Sequence, residues 1–70
     1  MKVWFAYYDT DDGKVYADSS TIRKFIGRNM VMLENRGVFD IRTVYPSLEL
    51  LELKERQLGK YCGVKPFRRA

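Results

Sequence analysis

The six residues Val3–Tyr8 (Val-Trp-Phe-Ala-Tyr-Tyr) are apolar or aromatic at every position. Successive side chains of a strand point to opposite faces, so this run is apolar on both faces, as suits a central strand. Its β-branched and aromatic residues favour a strand, placed inside a sheet rather than at its edge. It is also the longest unbroken apolar run, far short of the ~20 residues that cross a bilayer as a helix, so no membrane span is expected.

A second strand is expected over Lys14–Asp18, where polar and apolar residues alternate, with Thr10-Asp11-Asp12-Gly13 as the turn between the two. The loop length decides which face is core, because a one-residue slip moves every side chain to the other face. A two-residue Asp12-Gly13 turn groups Val15 and Ala17 with Trp4, Ala6 and Tyr8. A three-residue Asp11-Asp12-Gly13 loop groups them with Val3, Phe5 and Tyr7. The second is favoured, since it buries Val3 and Phe5 and leaves outside Trp4, Tyr8 and Tyr16, which have polar handles.

The stretch Ser19–Arg36 reads as a helix. Ser19, Ser20 or Thr21 can cap it, Ile22, Phe25, Ile26, Met30 and Leu33 recur at helical spacing, and Gly37 follows as a stop. A rival reading ends a short helix at Gly27 and forms a hairpin from Met30–Leu33 and Val38–Tyr45 around Glu34-Asn35-Arg36-Gly37. Val38–Tyr45 alternates as a strand and stops at Pro46. Ser47 then caps a helix to about Leu58, with Glu49 in its first turn and Glu52–Arg56 paired at i, i+4. Leu48, Leu50, Leu51, Leu53 and Leu58 make its apolar stripe, and Gly59 or Gly63 ends it.

The expected fold is therefore α+β, in the order β-β-α-β-α. It has a three-stranded sheet of strand order 2-1-3 with both helices on one face, and the rival order is β-β-α-β-β-α. Residues 1–63 form the one domain that 70 residues allow, and residues 64–70 form a basic tail.

Composition excludes more chemistry than it suggests. There is no histidine, so the usual neutral-pH general base and commonest metal ligand are missing. The single cysteine, Cys62, can form neither an intrachain disulfide nor a Cys/His zinc site, and it reads as a small apolar filler. Cysteine scarcity and the lack of a signal-peptide layout point to the cytoplasm. The glycines are scattered, so no phosphate-binding loop is present. Asp9-Thr10-Asp11-Asp12-Gly13 resembles a calcium loop only superficially, because the ligand spacing is wrong and Ser20 stands where the twelfth-position Glu belongs. A non-enzymatic protein without metal or cofactor is expected.

Charge gives the remaining signal. Thirteen Lys and Arg stand against nine Asp and Glu. Residues 21–43 carry five cations against two carboxylates, and residues 60–70 carry four against none. On a helix, Lys24 and Arg28 stand at i, i+4 with Arg23 beside them, a repulsive arrangement that suits an anion-binding face. Trp4, Tyr8 and Tyr16 would line the open sheet face with Arg42 nearby, a stacking surface for unpaired bases. Arg68 and Arg69 in the tail add phosphate contacts. The leading expectation is a nucleic-acid-binding protein, DNA or RNA. The alternative is a regulator or inhibitor that binds an acidic protein surface through the aromatic face, or pairs with itself as a homodimer.

Overall fold

The computed structural model describes residues 1–68. Six strands and one helix follow one another: β1 (Lys2–Asp9), β2 (Lys14–Ile26), β3 (Met30–Leu33), β4 (Gly37–Asp40), a 3-10 turn (Ile41–Thr43), β5 (Val44–Tyr45), α1 (Leu48–Leu58) and β6 (Tyr61–Val64). The strand order is β4-β3-β2-β1-β5, antiparallel throughout, with β6 added parallel to β2. This replaces the expected three-stranded sheet with two helices. There is no helix over Ser19–Arg36. β2 instead runs thirteen residues without a break, and a second hairpin follows it.

The local chemistry explains that outcome. Ser19-Ser20-Thr21-Ile22 is poor helix material, and Gly27 has a positive φ of 76° that places it in a turn between β2 and β3. A further turn, Glu34-Asn35-Arg36, closes β3 onto β4 with Asn35 at φ 59°. The rival reading has this hairpin but not the extended β2 before it. The segment read as one strand, Val38–Tyr45, divides at the 3-10 turn: Asp40 caps the turn by accepting from the Arg42 N–H, and Val44–Tyr45 crosses to pair with β1.

The sheet curls strongly. β4 and β1 lie three strand spacings apart in the strand order, which is roughly 14 Å in a flat sheet. Yet the rings of Phe5 on β1 and Phe39 on β4 are 4.7 Å apart. Val3, Phe5, Val31 and Leu33 fill the inside of the curl, with Phe39, Ile41, Val44 and Phe67 packed against them. The outer face of β1 and β2 is covered by α1, where Ala6, Ala17 and Leu51 are buried beside Trp4, Val15, Tyr45 and Leu48. Both faces of β1 are thus packed, in place of the expected open aromatic face, although Tyr8 at its end stays exposed.

The first hairpin has a four-residue loop, Thr10–Gly13, with Asp9 opposite Lys14 and Ala6 opposite Ala17. Asp9 accepts from the Asp11 N–H and Asp12 from the Lys14 N–H, so the acidic side chains order the loop. An even-numbered loop puts Val15 and Ala17 with Trp4 and Ala6, correcting the three-residue expectation. Helix α1 is capped by Ser47, whose Oγ accepts from the Leu50 N–H at 3.1 Å, and it ends at Gly59 with φ 88°. Its buried side is Leu51 and Glu55, whereas Leu53 and Leu58 of the expected stripe are exposed.

Residues of the expected tail are woven into the core. The Phe67 ring meets Phe5, Tyr7 and Phe39 edge-on at 4.9–5.8 Å, and its N–H donates to Asp18 at 3.1 Å. The Tyr7 hydroxyl donates to the Lys65 carbonyl, and Lys65 Nζ pairs with Asp9 at 2.6 Å.

Candidate functional site

The ladder between β1 and β2 ends at Lys2 opposite Thr21. Beyond it β2 continues to Ile26 with only β3 as a partner, and β3 pairs in turn with β4 as far as Met30 opposite Asp40, so the end of β2–β3–β4 overhangs β1. From Arg23 to Met30 every residue is exposed. Arg23 lies at a register shift between Ile22 and Lys24. That bulge changes the alternation: Ile22 packs toward the core, and Lys24 then falls opposite Met32 on the outer side. Ile26 pairs with Met30 on that same outer side, and Met32 opposite Val38 carries the apolar strip onto β4. Phe25 sits on the other side, opposite the buried Val31.

The tip is nonetheless anchored. The Ile41 N–H donates to the Asn29 carbonyl at 2.8 Å, fastening the turn to the 3-10 segment. Asp40, opposite Met30, binds Arg42 through two contacts of 2.6 and 3.0 Å, and this holds its carboxyl well down, at about 2. That pair cancels its own charge. Arg23, Lys24 and Arg28 have no ion-pair partner among the described residues, and Ser19–Leu33 contains no acidic residue. Lys2 stands at the same end through its pairing with Thr21, with its ammonium 5.8 Å from the Trp4 ring centroid.

The sequence-predicted residues are partly gathered and partly scattered. Arg23, Lys24 and Arg28 come together, but on a strand and a turn instead of a helix face. Trp4, Tyr8 and Tyr16 do not form one surface. Trp4 is half-buried in the layer under α1. Tyr8 shares that face at the far end of β1 and is 57% exposed. Tyr16 lies on the opposite face beside Tyr7, its hydroxyl donates to Asp12, and Lys65 Nζ sits 4.8 Å over its ring. The hydrogen bond to Asp12 pushes the Tyr16 hydroxyl up to about 12. Arg42 is engaged by Asp40, as described. Arg68 is exposed at the end opposite the overhang, beside a cleft of about 580 Å³ that Tyr7, Tyr8, Asp9 and Lys65 also line. Arg69 lies outside the described residues. Cys62 is exposed on β6, not a buried filler.

Lys2 and the exposed trio Phe25, Ile26 and Met30 escape sequence reasoning. The trio repeats at helical spacing and so reads as core, and Lys2 joins the cluster only through a strand register that extends to Thr21. Among the described residues, no group of His, Cys, Asp and Glu could hold a metal ion, and no helix is long and apolar enough to cross a membrane.

No protein-family model, curated protein or solved structure matches this chain.

Proposed function

We propose that this chain is a non-enzymatic nucleic-acid-binding protein whose contact surface is the β2–β3 overhang. The observation that carries the reading is the overhang itself: eight consecutive exposed residues bearing Arg23, Lys24 and Arg28, with no ion pair among the described residues and no carboxylate in the surrounding fifteen. Cations that have no acidic neighbour keep their full attraction for phosphates, and displaced counterions drive such binding. Lys2 extends the row at the foot of the hairpin.

Salt titration tests it. With about four phosphate contacts, affinity for a short nucleic acid should fall on the order of a hundredfold between about 50 and 200 mM salt. The double variant Lys24→Glu with Arg28→Glu should bind far more weakly while keeping the wild-type melt, since both side chains are exposed. Affinity that does not respond to salt would overturn the proposal.

A second reading has one observation in its favour. β4 is an open sheet edge that carries the exposed Val38, opposite Met32, which suits an extended acidic peptide or a second copy adding a strand. A pull-down with and without nuclease separates the two. A partner that stays bound after nuclease treatment favours the protein reading.

A further inference from the structure

Strand β4 pairs with β3 on one side and with no strand on the other. Backbone groups of successive residues alternate between the two sides of a strand. The Ile41 N–H, one residue past β4, donates to Asn29 on the β3 side, so Phe39 and Gly37 also turn their groups toward β3. The N–H and C=O of Val38 and the N–H of Asp40 therefore face the open edge, while the Asp40 carbonyl accepts from Thr43 Oγ1 at 2.8 Å. Sheet edges are commonly blunted by Pro, Lys or a bulge. Gly37–Asp40 has neither Pro nor Lys, and its one charge, Asp40, is neutralised by Arg42. The Val38 side chain is 48% exposed beside Met32 on the outer face, and α1 lies elsewhere, over β1, β5 and β6.

Taking up the β4-edge reading above, we propose that the edge pairs antiparallel with β4 of a second copy of this chain, across a two-fold axis at Val38. The free groups and the charges select that register. With Val38 opposite Val38 of the second copy, the two residues exchange both of their N–H to C=O bonds, as an antiparallel ladder does at alternate pairs. The same register sets Arg36 across from Asp40 of the second copy. Centring the axis on Phe39 instead would set Val38 against Asp40, whose carbonyl is already taken, and Arg36 against Arg42, a like-charge contact. A two-fold contact is self-complementary and closes at two copies. An acidic peptide is served less well. In the row Lys24–Met32–Val38 the free cation stands two strands in from the edge, about 10 Å away, and the residues nearest the edge are apolar. In the dimer Met32 and Val38 of both copies form one apolar strip. The two Lys24 residues end that strip five strand spacings apart, about 24 Å in a flat sheet.

Sedimentation equilibrium of the full chain at about 150 mM salt tests the proposal. One short strand pair buries less than the ~1,200 Å² of a standard interface, so the dimer should be weak and form between about 10 μM and 1 mM. Over that range the mass should rise from 8.3 kDa toward twice that value. Val38→Lys and Val38→Glu each set like charges face to face at the axis and should stay monomeric, and an equimolar mixture of the two should dimerise again. Circular dichroism confirms that each variant folds, as expected for an exposed position. A wild-type chain that remains at 8.3 kDa up to about 1 mM overturns the proposal, as does a dimer that Val38→Lys retains. Variants that stay monomeric in the mixture overturn the Val38 register. A partner that survives nuclease treatment while the pure chain stays monomeric upholds the edge reading and overturns the second copy. Nucleic-acid titration of the monomeric Val38→Lys variant tests the proposed function separately, so either can fail alone.

Discussion

The Tyr45 hydroxyl donates to the Glu55 carboxylate across 2.8 Å, joining edge strand β5 to helix α1. Glu55 is the one buried charged residue among the described residues, and Tyr45 is its hydrogen-bond donor. A buried carboxylate without a donor bears its desolvation cost uncompensated. Tyr45→Phe should therefore cost about 1–3 kcal/mol in urea unfolding, more than the hydroxyl's small volume suggests. Glu55→Gln, which keeps an acceptor oxygen, should cost less. Equal losses in the two variants would mean that this bond does not hold the helix in place.

Phe5 and Trp4 are neighbours in the chain and belong to different layers. Phe5 is fully buried inside the curl against Phe39, Tyr7 and Phe67. Phe5→Ala should cost about 3–5 kcal/mol, most of the stability of a domain this small. Trp4 supports α1 instead of facing solvent, so Trp4→Ala should cost about 2 kcal/mol and lower the melting temperature by roughly 10 °C. A Trp4→Ala melt indistinguishable from wild type would show that the helix does not rest on this ring.

Phe67 closes the open side of the curl. Phe67→Ala should cost about 2–4 kcal/mol, below the full-core value because the ring is only partly buried. Removing residues 65–70 should cost more. It also takes away the Lys65–Asp9 pair and the acceptor of the Tyr7 hydroxyl, and it leaves Asp18 with Arg36 as its remaining ion-pair partner among the described residues. Thermal melts rank the three proteins, and a truncation as stable as the full chain would refute the assignment.

The pH profile should have two flanks. Hydrogen bonds from Arg42, Lys65 and Tyr16 hold Asp40, Asp9 and Asp12 below their ordinary values, Asp40 at about 2. Their contribution is present above about pH 4 and is lost as pH falls toward about 2, because the unfolded chain then binds more protons. Tyr45, through burial and its bond to Glu55, and Tyr16, through its bond to Asp12, are pushed up to about 12. Burial and the bond to Glu52 raise Tyr61 as well. These phenols favour the fold fully below about pH 10, and the benefit is lost as pH rises through about 12. Circular dichroism against pH, read with phenolate absorbance, should show loss of structure accompanying tyrosine ionisation. Ionisation complete by about pH 11 with the fold intact would contradict this.

The parts legible in the sequence are those set by local chemistry. Ser47 and Gly59 bracket α1 as their capping preferences dictate, and the turn after Asp9 forms where its acids and glycine stand. The burial of Val3 and Phe5 also follows from their lack of any polar group. Ser19–Arg36 misleads for a physical reason. Ile22 and Leu33 pair across a hairpin and reach the same core, yet their spacing also fits one helix face. The bulge at Arg23 interrupts the strict alternation that would have revealed a strand. The aromatic surface fails on a single parity: a four-residue loop in place of three puts Trp4 under the helix and Tyr16 on the opposite face. The basic trio survives this error because charged residues in an acid-free stretch stay at the surface in either secondary structure.

The overhang of β2 also separates what the chain must keep from what it is free to vary. Residues 23–30 contribute no fully buried side chain, and the tip is held by backbone bonds, from the β3 ladder and from Ile41 to Asn29, that do not depend on side-chain identity. The segment is therefore an exchangeable cassette on a fixed frame. Provided a turn-forming residue is kept at Gly27, a randomised library over Arg23–Asn29 should yield mostly folded proteins that differ in what they bind. Descendants of this chain could change targets there without disturbing the core.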